Sequence, residues 1–310
     1  MDLFGLWTAR DVYSQSGAGF VRASTQPQVP LNCGKPARAR LVLLAAAGLD
    51  ASRVTKGITF MKQTAVQESS LDFDYGSFDS AGFAASSLAN WPSLAAIIDH
   101  TLVKPGATRT HIEHLCTDAA RYRFACAVVN PVWVPVAVSV LAGTGIAVGA
   151  VIGSPLGGSL VSTLRQEAAA IIRLGARELD MVLPIGLLKS GNHAAVQRTV
   201  HTVAVAAHHH GAVLKVTLET SLLTMEEKLR AAEISIQAGA DFIKTSTGSA
   251  TGGATPADVA LLRGISGARC GIKASGGIRN LAQLRALLEA GANRIGCSAS
   301  VAILRELGSD

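Results

Sequence analysis

The sequence has few aromatic residues, few charged residues and no CxxC cysteine motif. Aromatic residues make up 5% and charged residues 16% of the 310 residues. The cysteines number five, an odd count, which argues against a disulfide framework and against a zinc site. This use of cysteine is typical of a reducing compartment. We therefore predict a cytoplasmic protein without a zinc site, and we also expect no cofactor.

Long apolar runs and long basic runs are also missing. The longest apolar run near the start, residues 41–49, is too short to cross a bilayer, so we predict no membrane partner. The formal net charge is +6, but the two signs are interspersed and no basic stripe carries interleaved aromatic residues. We therefore predict no nucleic-acid partner, and an anionic small molecule accounts equally well for the basic balance.

Residues 1–90 differ in texture from the rest of the chain. They lack sustained periodicity, and residues 67–90 are rich in Ser, Gly and Asp, as linkers are. We predict a largely disordered N-terminal extension over 1–90 and one catalytic domain over 91–310. Two alternatives stay open for the extension. One is a wrongly chosen start codon, and the other is an organelle-targeting peptide, which the acids Asp2 and Asp11 disfavour.

Residues 91–310 predict an α/β fold, the (β/α)8 or TIM barrel. Short apolar runs alternate with amphipathic segments, as in parallel strands that helices bury on both faces. An open doubly wound sheet is the alternative, and the count of eight strands disfavours it. The predicted strands are 94–98, 124–129, 146–152, 178–183, 213–218, 242–245, 271–274 and 294–296. The predicted helices are 108–122, 160–174, 193–210, 225–238, 256–265 and 281–290.

Polar residues recur at the predicted strand ends, where barrels of this kind place their chemistry. Burying unpaired polar groups costs several kcal/mol each, so a set this large indicates a site or a set of mutual salt bridges. Salt bridges alone could explain Asp99 or Glu219, but they explain two lysines poorly. The residues are Asp99, Asn130, Ser154, Asp180, Glu219, Lys244, Lys273 and Ser298.

Lys244 and Lys273 end neighbouring predicted strands, and neighbouring strands lie about 4.8 Å apart. Each ammonium disfavours protonation of the other, and an apolar wall adds a desolvation penalty of the same sign. At least one lysine should therefore be partly a free amine, which is the form that attacks an aldehyde. Asp180, on the fourth predicted strand, can shuttle protons beside them.

Glycine-rich turns follow the last two predicted strands. Gly276 and Gly277 come after the seventh strand, and Ser298 ends the eighth. Loops at these places are the usual phosphate site of the fold, where backbone N–H groups and a helix N-terminus face the anion.

At this point the chain resembles the deoxyribose-phosphate aldolase family over residues 93–305. Seven motifs occur in the order of the family, each at a strand end. They are IDHTLVKP (98–105), VNP (129–131), PLG (155–157), ELDMV (178–182), KVTLET (215–220), KTSTG (244–248) and KASGGI (273–278).

The resemblance implies a lyase that reversibly cleaves 2-deoxy-D-ribose 5-phosphate to D-glyceraldehyde 3-phosphate and acetaldehyde, as part of nucleotide catabolism. It implies that Lys244 forms a Schiff base, that Lys273 tunes it, that Asp180 transfers protons and that Asp99 supports the lysines. It implies no metal and a homo-oligomer, a dimer or larger. The substrate and phosphate contacts that we predict are Thr245, Gly248, Gly276, Gly277 and Ser298.

The chain departs from the family pattern at several positions, which we expect to alter the pocket lining and the substrate preference. Some family members also use a C-terminal tyrosine as a proton relay. This chain ends Leu-Gly-Ser-Asp, so water or Asp180 is expected to serve instead. The altered positions are Val128, Ser154, Pro184 and Ser249.

Two other functions remain open from the sequence. One is another sugar-phosphate barrel enzyme, such as an isomerase, which needs a base but no free lysine. The other is a catalytically silent relative that binds phosphate compounds. His100, beside Asp99, is interpreted as a hydrogen-bonded structural histidine and not as a catalytic base.

Overall fold

A computed structural model describes residues 77–309. These residues form a closed barrel in which eight parallel strands pair in chain order and the eighth pairs with the first. The strands are β1 (Ile98–Leu102), β2 (Cys126–Val129), β3 (Ala147–Ile152), β4 (Glu178–Val182), β5 (Val213–Thr217), β6 (Phe242–Lys244), β7 (Gly271–Ser275) and β8 (Arg294–Cys297). The predicted (β/α)8 fold is confirmed.

Helices precede and separate the strands. They are α1 (Ser80–Ser87), α2 (Trp91–Ala95), α3 (Arg109–Tyr122), α4 (Val134–Val140), α5 (Val161–Arg173), α6 (Ile185–Lys189), α7 (His193–His208), α8 (Met225–Gln237), α9 (Pro256–Ser266), α10 (Leu281–Glu289) and α11 (Ser300–Glu306). All six predicted helices are present within two residues of their predicted ends. Among residues 77–309, no helix is long and apolar enough to cross a membrane.

The predicted first strand, 94–98, is wrong. The Asn90 side chain accepts a hydrogen bond from the Ser93 amide at 2.9 Å, and Pro92 lies in the first turn, so these residues begin α2 instead. The strand starts at Ile98, and Asp99 is its second residue. Asp99 therefore lies deep in the barrel, opposite Gly296 of β8, and not at the end of a strand.

Part of the predicted linker is a helix. The Asp79 carboxylate caps α1 through the Gly82 amide at 2.9 Å, and Ala84 of this helix belongs to the hydrophobic core. The Arg263 guanidinium lies 4.0 Å from the centre of the Phe78 ring, a cation–π contact. The rest of the predicted extension, residues 1–76, lies outside the described residues.

Two layers of side chains are buried by the barrel. Apolar residues between the strands and the helices form the main core, with fully buried examples such as Leu214 and Ile243. The inward-facing residues of several strands are instead charged, and they include Asp99, Asp180 and Lys273. The alternation of strand side chains sends apolar residues outward to the helices and these charges into the barrel.

Candidate active site

The interior of the barrel holds a compact network of ion pairs. The Asp99 carboxylate contacts Lys273 Nζ at 2.5 Å and Lys215 Nζ at 2.6 Å. The Asp180 carboxylate contacts Lys273 Nζ at 2.6 Å and Lys244 Nζ at 2.7 Å. The structure therefore brings together all four side chains that the sequence identified as catalytic candidates.

Three members of this network were missed as site residues by the sequence analysis. Lys215 of β5 contacts Asp99, Asp180 and Glu178, and it is fully buried. Arg294 of β8 pairs with Asp99 through Nε at 2.6 Å, and its Nη2 donates to both carboxylate oxygens of Glu178. An available signal was the occurrence of Lys215 and Glu178 inside strands that are otherwise apolar.

Lys244 is the basic side chain of the network that lies nearest the open end of the barrel. It is the last residue of β6, it stands in register with Lys273 of β7, and it lines a cavity at the carboxyl ends of the strands. Its hydrogen bond in the network goes from Nζ to Asp180 Oδ2, an oxygen that Lys273 also contacts. Lys244 therefore shares its carboxylate, whereas Lys215 contacts three.

The pKa values of Lys244 and Lys215 shift in opposite directions. Burial lowers the pKa of Lys244, Asp180 partly opposes this, and the Lys273 and Lys215 charges lower it further. For Lys215, burial also lowers the pKa, but Asp180, Asp99 and Glu178 outweigh burial and raise that pKa well above its usual range. The predicted depression of a lysine pKa is thus found at Lys244.

The charge balance of the network also indicates that Lys244 is its neutral base. Within the described barrel, three carboxylates (Asp99, Glu178 and Asp180) face four basic side chains (Lys215, Lys244, Lys273 and Arg294). Buried charge is costly unless it is compensated, so the network is balanced when one base is neutral. Lys244 is the base with the fewest carboxylate contacts. Its neutral amine can attack a carbonyl carbon from the floor of the cavity.

The cavity above Lys244 has a volume of about 360 Å³. Its walls are the segment after β1 and the loops after β6, β7 and β8. They include Gly248, Gly276, Gly277 and Ser298, four of the five predicted substrate contacts, and also the cations Lys104 and Arg279, to which the sequence analysis gave no role. A polar wall with two cations and glycine backbone suits an anionic ligand.

The fifth predicted contact, Thr245, does not line this cavity. Its hydroxyl donates to the Ser275 carbonyl and accepts from the Ser275 amide, each at 3.1 Å, and the residue is fully buried. Thr245 therefore fixes β6 against β7 beside the site. Similarly, Asp99 lies below the cavity and contacts the lysines from beneath.

Glycine at 276 is required by close backbone packing. Its φ is +89°, and a Cβ there would lie 3.2 Å from the Gly253 Cα and 3.3 Å from the Ser246 Cβ. The loop after β6 is also held by Glu219, which accepts from the Thr247 amide at 3.1 Å. These contacts give the cavity walls a fixed shape.

The positions that depart from the family pattern do not line the cavity, which corrects the expectation that they change its lining. Val128 is buried inside the barrel in β2, Pro184 precedes α6, and the Ser249 amide donates to Thr247 Oγ1. Ser154 lies in the turn after β3.

One group of described residues has atoms close enough to share a metal ion, namely Asp99, Cys126 and Glu178. Lys215 and Arg294 already contact both carboxylates of this group. Burial raises the pKa of the Cys126 thiol, which keeps it protonated and a poor ligand. The donor set therefore does not fit a metal ion.

Fold and site together define the class of this protein, a (β/α)8-barrel enzyme with a polar cavity at the carboxyl ends of the strands. The sequence profile of the DeoC/LacD family aldolases matches residues 93–306. The chain belongs to this family of lyases.

Individual relatives agree with the family. A deoxyribose-phosphate aldolase from a Thermoanaerobacter species is 48% identical over 215 residues, covering 69% of this chain and 96% of the relative. One from Aciduliprofundum boonei is 47% identical over 214 residues, covering 69% and 96%. Among solved structures, the tetrameric deoxyribose phosphate aldolase from Aeropyrum pernix is similar with a TM-score of 0.69 and 35% identity, covering 74% of this chain and 97% of that one.

Behind the cavity, His100 of β1 is buried and hydrogen-bonded to Ser300, as interpreted from the sequence. Burial lowers its pKa to about 4; Asp118 opposes this shift and His114 adds to it. The unfolded chain, with an ordinary histidine pKa of about 6.5, binds more protons than the folded chain between these two pH values. The contribution of His100 to stability is therefore complete above about pH 6.5 and is lost as the pH falls toward about 4.

We expect the free energy of unfolding to decrease below about pH 6.5, with a slope of at most about 1.4 kcal/mol per pH unit from His100. Urea unfolding at a series of pH values measures this slope. The variant His100→Asn has no titrating group at this position and should flatten it. An unchanged slope in the variant would show that another group is responsible.

Proposed function

We propose that the chain is a class I aldolase that reversibly cleaves 2-deoxy-D-ribose 5-phosphate to D-glyceraldehyde 3-phosphate and acetaldehyde. The observation that carries this proposal is the placement of Lys244, a buried lysine with a lowered pKa, on the floor of a cavity with cationic walls. The names of the relatives supply the substrate.

The chemistry follows from the position of Lys244. Its neutral amine adds to C1 of the open-chain aldehyde, and the carbinolamine loses water to form an iminium ion. The iminium withdraws electrons, so the C2–C3 bond breaks as the C3 hydroxyl loses its proton, and glyceraldehyde 3-phosphate leaves. The remaining enamine takes a proton at C2, and hydrolysis releases acetaldehyde and restores the amine.

Asp180 is the group placed to move protons at the reacting nitrogen. Its Oδ2 lies 2.7 Å from Lys244 Nζ, and its pKa lies well below the usual range because its interactions with Lys215, Lys244 and Lys273 outweigh the effect of burial. The carboxylate can accept a proton when the amine adds and return it when water leaves. Lys104, Arg279 and the glycine loops at the other walls would hold the phosphate.

Lys273 acts through the pKa of Lys244. Its ammonium lowers that pKa, so the variant Lys273→Met should raise it and decrease the fraction of free amine at neutral pH. We expect the acidic limb of the profile of kcat/KM against pH to move to higher pH, so that kcat/KM falls at a fixed neutral pH and recovers at higher pH. Turnover measured across the pH range tests this. A uniform loss without a moved limb would contradict the tuning role.

Turnover of 2-deoxyribose 5-phosphate by the full chain tests the proposed reaction. We expect acetaldehyde and glyceraldehyde 3-phosphate in equal amounts, each detected with its own coupled dehydrogenase. An isomerase would yield a product of unchanged mass and no acetaldehyde. A silent relative would be stabilised thermally by the compound without consuming it.

The relative from Aeropyrum pernix is tetrameric, and we propose that this chain also self-associates. Light scattering on the full chain at several concentrations gives its mass directly. A mass equal to one chain at every concentration would exclude self-association.

A further inference from the structure

A buried hydroxyl links the cavity wall after β8 to β1. Gly296, Cys297, Ser298 and Ala299 all line the cavity, and the β1–β8 pairing ends at the rung between His100 and Cys297. Beyond that rung, the wall depends on side chains for its position relative to β1. Ser300, which is fully buried, makes this link through its Oγ, which lies 3.0 Å from His100 Nδ1.

The hydroxyl of Ser300 has its hydrogen-bonding capacity filled. It donates to the Cys297 carbonyl at 3.0 Å and lies 3.3 Å from Cys297 Sγ. A hydroxyl has one proton and two acceptor sites. When the proton is directed to the Cys297 carbonyl, the lone pairs of Ser300 Oγ face His100, which then donates through Nδ1–H. In this arrangement, the tautomer of His100 and the orientation of the Ser300 hydroxyl depend on each other.

His100 is held for this contact from its other sides. Its ring packs on Phe124 with 4.9 Å between ring centres. Its Nε2 is 4.0 Å from Asp118 Oδ2, too far for a hydrogen bond, and His114 shares that carboxylate at 3.2 Å. His100 does not line the catalytic cavity, so an effect of His100 on the substrate must pass through Ser300 and the wall.

We propose that His100 is a positioning residue that determines recognition of the phosphate end of the substrate, by holding the 296–299 wall through Ser300. This rests on the proposed function for the identity of the anion. The wall carries Ser298 and adjoins Lys104 and Arg279, whereas the reacting amine lies on β6. Loosening the wall should therefore weaken the hold on the phosphate and leave the chemistry at Lys244 intact.

The test compares His100→Leu, which removes the donor at similar volume, with His100→Asn, whose amide nitrogen can occupy the place of Nδ1. For 2-deoxyribose 5-phosphate, we expect His100→Leu to raise KM about tenfold and to change kcat by less than about twofold. For unphosphorylated 2-deoxyribose, we expect kcat/KM to be unchanged. His100→Asn should recover most of the lost affinity.

Two further variants keep the test decisive. Ser300→Ala removes the acceptor and should reproduce the His100→Leu effect, even if His100→Leu fails to fold. His114→Asn is the matched control, because His114 is exposed on α3 and makes its contact with Asp118. Equal losses for the phosphorylated and unphosphorylated sugars, or no loss in either substitution, would overturn the proposal.

Binding of inorganic phosphate, measured by calorimetry, separates this proposal from the reaction itself. If the full chain binds phosphate and His100→Leu weakens this binding about tenfold, the positioning role stands even without turnover of the sugar. If the full chain turns over the sugar and both proteins bind phosphate equally, the aldolase proposal stands and the role of His100 is refuted. Absence of phosphate binding in the unsubstituted chain would also refute it.

Discussion

Replacing Lys244 by methionine is expected to lower kcat/KM for 2-deoxyribose 5-phosphate by about 10⁴-fold or more, because the reaction loses its nucleophile. The side chain is similar in length, so the cavity floor keeps its shape. Steady-state turnover measures the loss. A high enzyme concentration allows the coupled assay to detect the slow reaction of the variant.

The same substitution should not destabilise the fold. Lys244 shares Asp180 with two other lysines, and four bases face three carboxylates in the described barrel. Removing the base with the fewest carboxylate contacts leaves the network balanced. We expect the free energy of unfolding to stay within about 1 kcal/mol of the unsubstituted value.

Lys244→Arg is the matched variant that keeps a charge without a nucleophilic amine, and it should be equally inactive. Activity within tenfold of the unsubstituted enzyme in either variant would contradict the role of Lys244.

Replacing Lys215 by methionine should, in contrast to the Lys244 substitution, cause a large loss of fold stability. Lys215 is fully buried and contacts Asp99, Glu178 and Asp180, so its removal leaves buried carboxylates under-compensated. Breaking a buried pair from one side costs about 3–5 kcal/mol. Urea unfolding at neutral pH, where Asp99 and Asp180 are ionised in the native chain, measures the loss.

The control for this experiment is Lys189→Met. Lys189 pairs with Glu227 at 2.8 Å on the surface and is partly exposed to solvent. Exposed ion pairs contribute about 1 kcal/mol or less, so this variant should be nearly as stable as the unsubstituted chain. Similar losses in the two lysine variants would mean that the buried network does not have the compensating role assigned to it.

The barrel could be predicted because most of its signals are local. Buried β-branched strands and amphipathic helices have different periods, and glycines with positive φ such as Gly175 and Gly239 follow the predicted helices. The prediction of the first strand failed because the apolar run at 94–98 is too short for its periodicity to distinguish a strand from a helix. The decisive signal was the Asn90 cap followed by Pro92, which predicts a helix start.

The candidate site was only partly predictable. Lys244, Lys273 and Asp180 could be placed together because parallel strands in register bring like positions to one end of the barrel. Lys215, Glu178 and Arg294 were missed because their role depends on contacts in the barrel interior, such as the contact of Arg294 in β8 with Glu178 in β4. The assignment of the lowered pKa to Lys244 likewise needs the count of carboxylates around each amine, which no single motif contains.

The measurement that tests the central proposal most directly is reduction of the full chain with borohydride in the presence of acetaldehyde, followed by peptide mass mapping. We expect a reduced two-carbon adduct on Lys244, absent when either reagent is omitted and absent from Lys244→Met. Folded protein with an unmodified Lys244, or with the adduct on Lys273 instead, would contradict the assignment of Lys244 as the Schiff-base lysine.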